Sequence, residues 1–536
     1  MEKADVLIIG AGASGSVAAY HLAKAGFSVV CLEQGKWVKQ ESYPGASNMY
    51  EVMRHKKWNP NPNIRMLESD YPVNSTESPI SPLMFNAVGG STINYAGHWH
   101  RFRPSDFRVR SLDGVADDWP ITYKDLEPFY QQLDHELGVS GLGGNPAYPD
   151  GNNPPLPPLP IGKAGEVAAR GLNELGWHWW PGYNAIPSRS YRNLNKCALR
   201  GTCIAGCPEG AKASMDLVYW PNAIEYGAKL ITGARVREIT LDNKGLANGA
   251  VWIDRSGKEH FQSASLVILA ANGVGTARLL LMSKSARFSD GLANSSGMVG
   301  KNLMLHPYSI VQGTFDENVE SWMGPMGELI HSTEFYETDE KRGFVRGAKW
   351  NCTGEGGPLT TWILHKSLDI NEAWGENFHT AIKENFGHSI HWGIIAEDLP
   401  EESNCVELDN ELTDSDSLPA PKIKYTLSEN TKKLIDFHIQ RAKEALFASG
   451  AKKVKAFPMI PETGWHLLGT ARMGLDPKKS VVNQNCQSHD VPNLYIIDGS
   501  VFVTSAGVNP TATICAIALR TAKHLIKERH KQVVPL

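Results

Sequence analysis

The chain carries no excess of positive charge: 53 lysines and arginines stand against 57 aspartates and glutamates, a formal net charge of -4. A nucleic-acid binder needs a basic face or stripe, so nucleic acid is not an expected partner. No apolar run reaches spanning length either. The apolar opening is broken by glycines and has no basic stretch ahead of it, so neither a signal peptide nor a membrane segment is expected. Eight cysteines in 536 residues are too few for a disulfide scaffold, and Cys31, Cys352, Cys405, Cys486 and Cys515 are scattered singly, as buried thiols are. With 42% hydrophobic and 21% charged residues, the chain has the composition and length of a globular protein of two or more domains.

What is present begins at once. An apolar strand runs into Gly10, Gly12, Ser14 and Gly15, a helical pattern follows, and a second apolar strand ends at Glu33, eighteen positions after Gly15. That order is a dinucleotide-binding βαβ unit. Gly10 permits the turn, Gly12 lets backbone approach a pyrophosphate, Gly15 lets helix pack on strand, and Glu33 is placed to accept from a ribose. Residues 41–80 are polar and rich in Pro, Asn and Ser, so they read as an excursion that covers something. Residues 141–160, ending in Pro154-Pro-Leu-Pro-Pro-Leu-Pro160, must be an extended connector. Apolar β-branched runs at 228–242 and 266–270 read as further strands of the nucleotide-binding sheet. From 307 to 461 aromatic-rich alternating segments, with a helix at 430–448, predict an antiparallel substrate domain. The tail returns to the first domain with a short strand near 494–499 and an amphipathic helix at 510–527. The expected division is a discontinuous first domain, mainly 1–306 plus 462–536, interleaved with a second at 307–461.

With these pieces in order the sequence resembles the glucose–methanol–choline (GMC) oxidoreductases. The resemblance rests on the N-terminal glycine motif, Val88-Gly-Gly-Ser-Thr, Trp119-Pro120, Val299-Gly-Lys-Asn-Leu-Met-Leu-His306-Pro307, Glu397-Asp-Leu-Pro400, His466-Leu-Leu-Gly-Thr-Ala-Arg-Met-Gly474, Asp498-Gly499 and Asn509-Pro510. It is nearest to bacterial sugar dehydrogenases and pyranose-oxidising members. It implies an α/β fold, a Rossmann-like FAD-binding domain interleaved with an α+β substrate domain on an antiparallel sheet. It also implies that FAD contacts Gly89, Gly90, Ser91, Asn94 and Val236, and Asp498, Gly499, Pro510 and Thr511 further on. Many relatives have, four residues after the second glycine, a histidine bonded covalently to the flavin. Here that residue is Asn94, whose amide is too poor a nucleophile, so FAD is expected to be held non-covalently.

Oxidising an alcohol requires a base for the hydroxyl proton and a fixed partner for the oxygen, and the resemblance assigns these to His466 and Asn509. Asn509-Pro510 is also a good helix start, whose positive end could face charge on a reduced flavin. His98 and His100 lie nearby, out of register with the attachment position. Cys197, Cys203 and Cys207 form a separate cluster, with Gly201 and Gly206 between them and Pro208 after. They either hold a three-iron [3Fe-4S]-type cluster, as the resemblance to sugar dehydrogenases implies, or are structural thiols. The expected activity is oxidation of a sugar, glycoside or other alcohol, with electrons leaving to a small subunit and a cytochrome-type acceptor. The alternatives are an oxidase that uses oxygen directly and a non-catalytic flavoprotein. The location is cytoplasmic if no signal operates, or periplasmic if the chain is exported with a signal-bearing subunit. Trp350, Trp362 and Trp392 are candidates for stacking on a sugar, against an ordinary role in the core.

Overall fold

A computed structural model describes residues 2–151, 153–354, 356–366 and 374–533. The opening run forms the strand Ala4–Ile9, parallel to Val29–Glu33 on one side and to the second half of Glu259–Leu269 on the other; Val6 stands opposite Val29 and Leu266. Lys229–Thr232 extends this sheet beyond Val29–Glu33, and Leu494–Ile496 pairs in parallel with Glu259–Leu269. A parallel sheet buried on both faces needs continuous apolar strands, and Val6, Leu7 and Ile8 are fully buried. The helix Ala13–Lys24 packs against the C-terminal helix Thr511–Val533, so the two ends of the chain share one core.

The run at 228–242 forms two strands, Lys229–Thr232 and Arg235–Leu241. Gly233 turns the chain at φ +69°; Lys229–Thr232 stays in the parallel sheet, whereas Arg235–Leu241 pairs antiparallel with Ala247–Ile253. That strand pairs in turn with the first half of Glu259–Leu269, which thereby belongs to both arrangements.

A second, antiparallel sheet has six strands in the order Lys453–Phe457, Tyr308–Thr314, Ser389–Ala396, Ala348–Thr353, Ile330–Ser332 and Trp180–Pro181. Its side chains alternate between two faces. Trp350, Cys352, Trp392 and Ile394 enter a core closed by the helices Gly162–Leu175 and Glu429–Ala448, and Trp350 Nε1 donates to His438 Nδ1 at 2.9 Å. Trp350 and Trp392 are therefore core residues and not a sugar platform. Trp362 lies half-buried in the helix Pro358–Lys366. The opposite face, with Tyr308, Ile310, Asn351, Thr353, His391 and Ile395, lines a cavity. Within the polar excursion Tyr43 and Trp58 pack with Phe85, the last two stacked at 5.3 Å. The architecture is the α/β one expected, with parallel and antiparallel sheets built from interleaved segments.

The glycine turn is the tightest point of the parallel sheet. A Cβ on Gly15 would stand 2.0 Å from the Gly10 carbonyl oxygen. Gly15→Ala is therefore expected to destabilise the apoprotein by about 1–3 kcal/mol, as overpacking does. Urea unfolding measures this, and an unchanged midpoint would contradict the close contact of helix and strand.

Candidate active site

A cavity of about 460 Å³ lies between the glycine loops of the parallel sheet and the free face of the antiparallel one. At the first end the backbone is shaped for a close neighbour. Gly10 has φ +102°, and a Cβ on Gly90 would come within 2.9 Å of the Gly12 Cα, so the two glycine loops touch. Glu33 is buried, and its two carboxylate oxygens accept from the Ala11 and Gly35 N–H groups at 2.9 and 2.7 Å. Burial pushes its carboxyl up, and those two bonds oppose the shift. The Glu33 carboxylate thus fixes the loop, and each oxygen keeps a lone pair for a ribose hydroxyl. Asp498 accepts from the Ser500 N–H at 2.9 Å and from the Thr276 hydroxyl at 2.6 Å.

Gly10, Gly12, Ser14, Glu33, Gly90 and Ser91 all line the cavity, as do Asn94, Val236, Asp498, Gly499, Pro510 and Thr511. Gly15 and Gly89 shape the backbone behind it, Gly89 at φ +93°. Asn94 Nδ2 donates weakly to the Trp58 carbonyl at 3.4 Å, while its buried Oδ1 has no protein partner. A glycine cradle and an orphaned amide oxygen on one wall fit a dinucleotide cofactor.

At the other end His466 and Asn509 line the same cavity, and the hydrogen bonds behind them decide what each offers. His306 Nε2 lies 2.5 Å from the Ala506 carbonyl, which can only accept, so His306 is protonated at Nε2. Burial pushes His306 down to about 4, so the ring is neutral and its Nδ1 is an acceptor. His466 Nδ1, 2.8 Å away, must then be the donor. This leaves His466 Nε2 as a bare lone pair. Burial, with His306, His98 and Lys349 nearby, holds His466 well below the usual histidine range. His306 itself sits in left-handed backbone at φ +54°, a cost that local function can justify.

Asn509 is oriented by a residue that the sequence reading did not single out. Lys349 is fully buried, and its three N–H groups meet Asn509 Oδ1 at 2.8 Å, His98 Nδ1 at 3.2 Å and Glu328 Oε1 at 2.5 Å. Because Oδ1 is taken, Asn509 has its Nδ2 donors left over; because Nδ1 of His98 accepts, that ring carries its proton on Nε2. The first bond of the helix Thr511–Val533 goes from Ile514 N–H to the Pro510 carbonyl. Glu328 also receives His100 Nε2 at 2.6 Å and has His331 Nδ1 at 3.2 Å. Burial raises the Glu328 carboxyl, but His100 and Lys349 outweigh it and hold the group well below the usual range. His100 is thus a buried support and does not line the cavity, whereas His98 does. One signal for Lys349 was available: it is the lone charge in Ala348–Thr353, a strand buried along its whole length.

Cys197, Cys203 and Cys207 line a small separate cavity together with Lys212. Cys197 and Cys207 sulfurs accept from the Leu199 and Ala211 N–H groups at 3.4 and 3.3 Å. Burial pushes the Cys197 thiol up to about 12. Lys212 Nζ donates to the carbonyls of Ile93, Tyr95 and Cys203 at 2.6, 2.8 and 2.7 Å, which staples the cysteine loop to the Gly90–Asn94 segment. Ile204, next to Cys203, lines the main cavity. Three thiols thus line one small cavity of about 20 Å³, two of their sulfurs accepting from backbone N–H groups.

Sequence profiles described as GMC oxidoreductase match residues 163–308 and 400–518, and one described as FAD dependent oxidoreductase matches residues 5–71. The chain is 40% identical to a 2-methyl-1,2-propanediol dehydrogenase of Mycolicibacterium austroafricanum, over 99% of this chain and 97% of the relative. It is 28% identical to the fructose dehydrogenase large subunit of Gluconobacter japonicus over 98% of each. It is 30% identical to a 6'''-hydroxyparomomycin C oxidase of Streptomyces lividus over 99% of this chain and 93% of the relative. Formate oxidase of Aspergillus oryzae RIB40 shares the fold at 14% identity, with a TM-score of 0.66 over 99% of each chain. Pyridoxine 4-oxidase from Mesorbium loti does so at 16% identity and 0.65, over 97% of this chain and 99% of that one. The chain belongs to the GMC oxidoreductase family and is an FAD-dependent oxidoreductase.

The buried Lys349–Glu328 pair gives a sharp expectation. Lys349→Met leaves a carboxylate without its cation and should cost about 3–5 kcal/mol, whereas adding Glu328→Gln should recover much of that loss. Denaturant unfolding of both variants checks it; equal losses in the single and double variants would mean that the pair does not carry the charge balance.

Proposed function

We propose that this enzyme oxidises a CH–OH group of a small polyhydroxylated alcohol or sugar with non-covalently held FAD, using His466 as base and Asn509 as partner of the reacting oxygen. The observation that carries this reading is the fixed polarity at one end of the cavity: His466 Nε2 is an acceptor, while Asn509 Nδ2 and His98 Nε2 are donors. An alcohol is complementary to that set, since its proton can go to His466 Nε2 while its oxygen accepts from Asn509. As the proton leaves, the N–H donors stabilise the developing alkoxide, and His306 accepts the Nδ1–H of the resulting imidazolium. FAD, when bound, supplies the two-electron acceptor for the hydrogen on carbon. Glu33, the two glycine loops and Asp498 would hold it, and the N-terminus of the helix Thr511–Val533 would face it with positive charge. The names of the diol and sugar dehydrogenases among the relatives support this substrate class.

Because His466 is held well below its ordinary value of about 6.5, its basic form is already present at neutral pH. The expected kcat/KM is flat from about pH 6.5 upward as far as His466 governs it, and it falls only on the acid side, as pH drops through the lowered value. His466→Ala is expected to keep FAD and to slow anaerobic flavin reduction by about 10²-fold or more. An unchanged reduction rate would move the base elsewhere.

Electrons are proposed to leave toward a protein partner by way of a cluster on Cys197, Cys203 and Cys207, which would supply a one-electron carrier beside the cofactor cavity. The relative named as a large subunit supports a partnered assembly. Protein made with adequate iron should then hold about three irons per chain, and Cys203→Ser should lose them and stop electron exit while substrate still bleaches the flavin. Iron-free protein that makes peroxide rapidly, indifferent to Cys203→Ser, would favour the direct use of oxygen, a reading supported by the relative named as an oxidase.

A further inference from the structure

The substrate-side wall carries polar groups that neither the base nor the cofactor cradle uses. On the cavity face of the antiparallel sheet Asn351 is 2% exposed and His391 is 7% exposed. Each has one atom engaged: Asn351 Nδ2 lies 3.5 Å from the Tyr308 hydroxyl, and His391 Nε2 lies 2.9 Å from Thr353 Oγ1. Each also has one buried atom without a protein partner, Asn351 Oδ1 and His391 Nδ1, and both residues line the cavity that holds His466 and Asn509. A fold seldom tolerates two such atoms on one wall unless something else satisfies them.

Their placement is specific. His391 is directly opposite Thr353 and Asn351 is opposite Gly393, so Asn351 and His391 are diagonal neighbours across two adjacent strands. Gly393 lets the Tyr308 hydroxyl pack against the strand beside them: that oxygen stands 1.8 Å from where a Cβ would be, and Asn351 Nδ2 stands 3.0 Å from it. Lys349 lies two residues before Asn351, on the same face of the same strand. The group that fits must donate to an amide oxygen and pair with a neutral imidazole, since burial pushes His391 down to about 4. A carboxylate cannot donate to Asn351 Oδ1, and a cation would face the Lys349 ammonium, while the nearby Glu328 carboxylate is already engaged by Lys349 and His100. A hydroxyl meets both demands.

We infer that Asn351 and His391 form a subsite for a second, non-reacting hydroxyl of the substrate, and so select diols and polyols over simple alcohols. The inference rests on the alcohol-oxidising reading above and adds a specificity determinant to it. A site built to pair a hydroxyl discriminates against an analogue lacking it, because its own buried atoms are then left unpaired.

The test uses the FAD-loaded enzyme with 1,2-propanediol and 1,4-butanediol against 1-propanol and 1-butanol. Binding is read from the perturbation of the flavin absorbance, and kcat/KM from anaerobic flavin reduction. At least one diol is expected to exceed its one-hydroxyl counterpart by about tenfold or more in binding and in kcat/KM. Asn351→Leu, of matching shape, and His391→Phe should bring that ratio close to one, while an undiminished melting temperature shows that the variants fold. A wild type that does not favour either diol, or a preference that survives both substitutions, would overturn the subsite. Failure of every alcohol to reduce the flavin would instead overturn the catalytic reading, and the binding ratio would still decide the subsite.

Discussion

The ammonium of Lys349 is buried and must find an acceptor for each of its three N–H groups, because a charged donor left unpaired in the interior costs more than an ordinary lost hydrogen bond. It finds them in Glu328, His98 and Asn509, three residues far apart in sequence. The donor polarity at this end of the cavity follows from that requirement. Asn509 can present only its amide hydrogens to the cavity, His98 only its Nε2–H, and Glu328 stays ionised against His100 and His331. The opposite polarity, a bare lone pair on His466, is set independently by the Ala506 carbonyl acting through His306. Two buried relays, one cationic and one neutral, thus fix the donors and the acceptor on which the proposed alcohol chemistry rests.

The same division of labour organises the fold. The parallel sheet contributes turns whose glycines allow close approach, and the antiparallel sheet contributes a rigid wall whose alternating side chains serve a core on one face and the cavity on the other. Placing polar groups on strands and not on loops fixes them to the pleat, which is how Lys349, Asn351 and Thr353 come to lie in one row. Lys212 adds a bond between the cysteine loop and the Gly90–Asn94 segment, so the candidate electron exit and the cofactor cradle share a fixed spacing.

The glycine turn, Glu33 and the alternation of strand and helix could be read from the sequence because each is a local demand on backbone that few residue types meet. The roles proposed for His466 and Asn509 rest on resemblance, since nothing local marks a histidine as a base. Lys349, Glu328 and the role of His306 were not legible, because their meaning lies in partners that only the tertiary fold supplies; His306 stood inside a quoted motif without a function attached. Asn509 shows the difference most clearly. From sequence it reads as a helix start, whereas in the structure its side chain answers to Lys349, 160 positions away. For Trp350 and Trp392 the ordinary core role is the one the structure gives, since period-two alternation decides which face an aromatic takes, and one residue of register separates a sugar platform from a core.

The central claim is that His466 Nε2 and Asn509 Nδ2 converge on one substrate oxygen. A crystal structure of the FAD-loaded enzyme with an unreactive alcohol analogue tests it directly. The account predicts the analogue's hydroxyl within about 3.2 Å of both atoms. A hydroxyl bound elsewhere, or one whose nearest neighbour on Asn509 is Oδ1 turned away from Lys349, would contradict it.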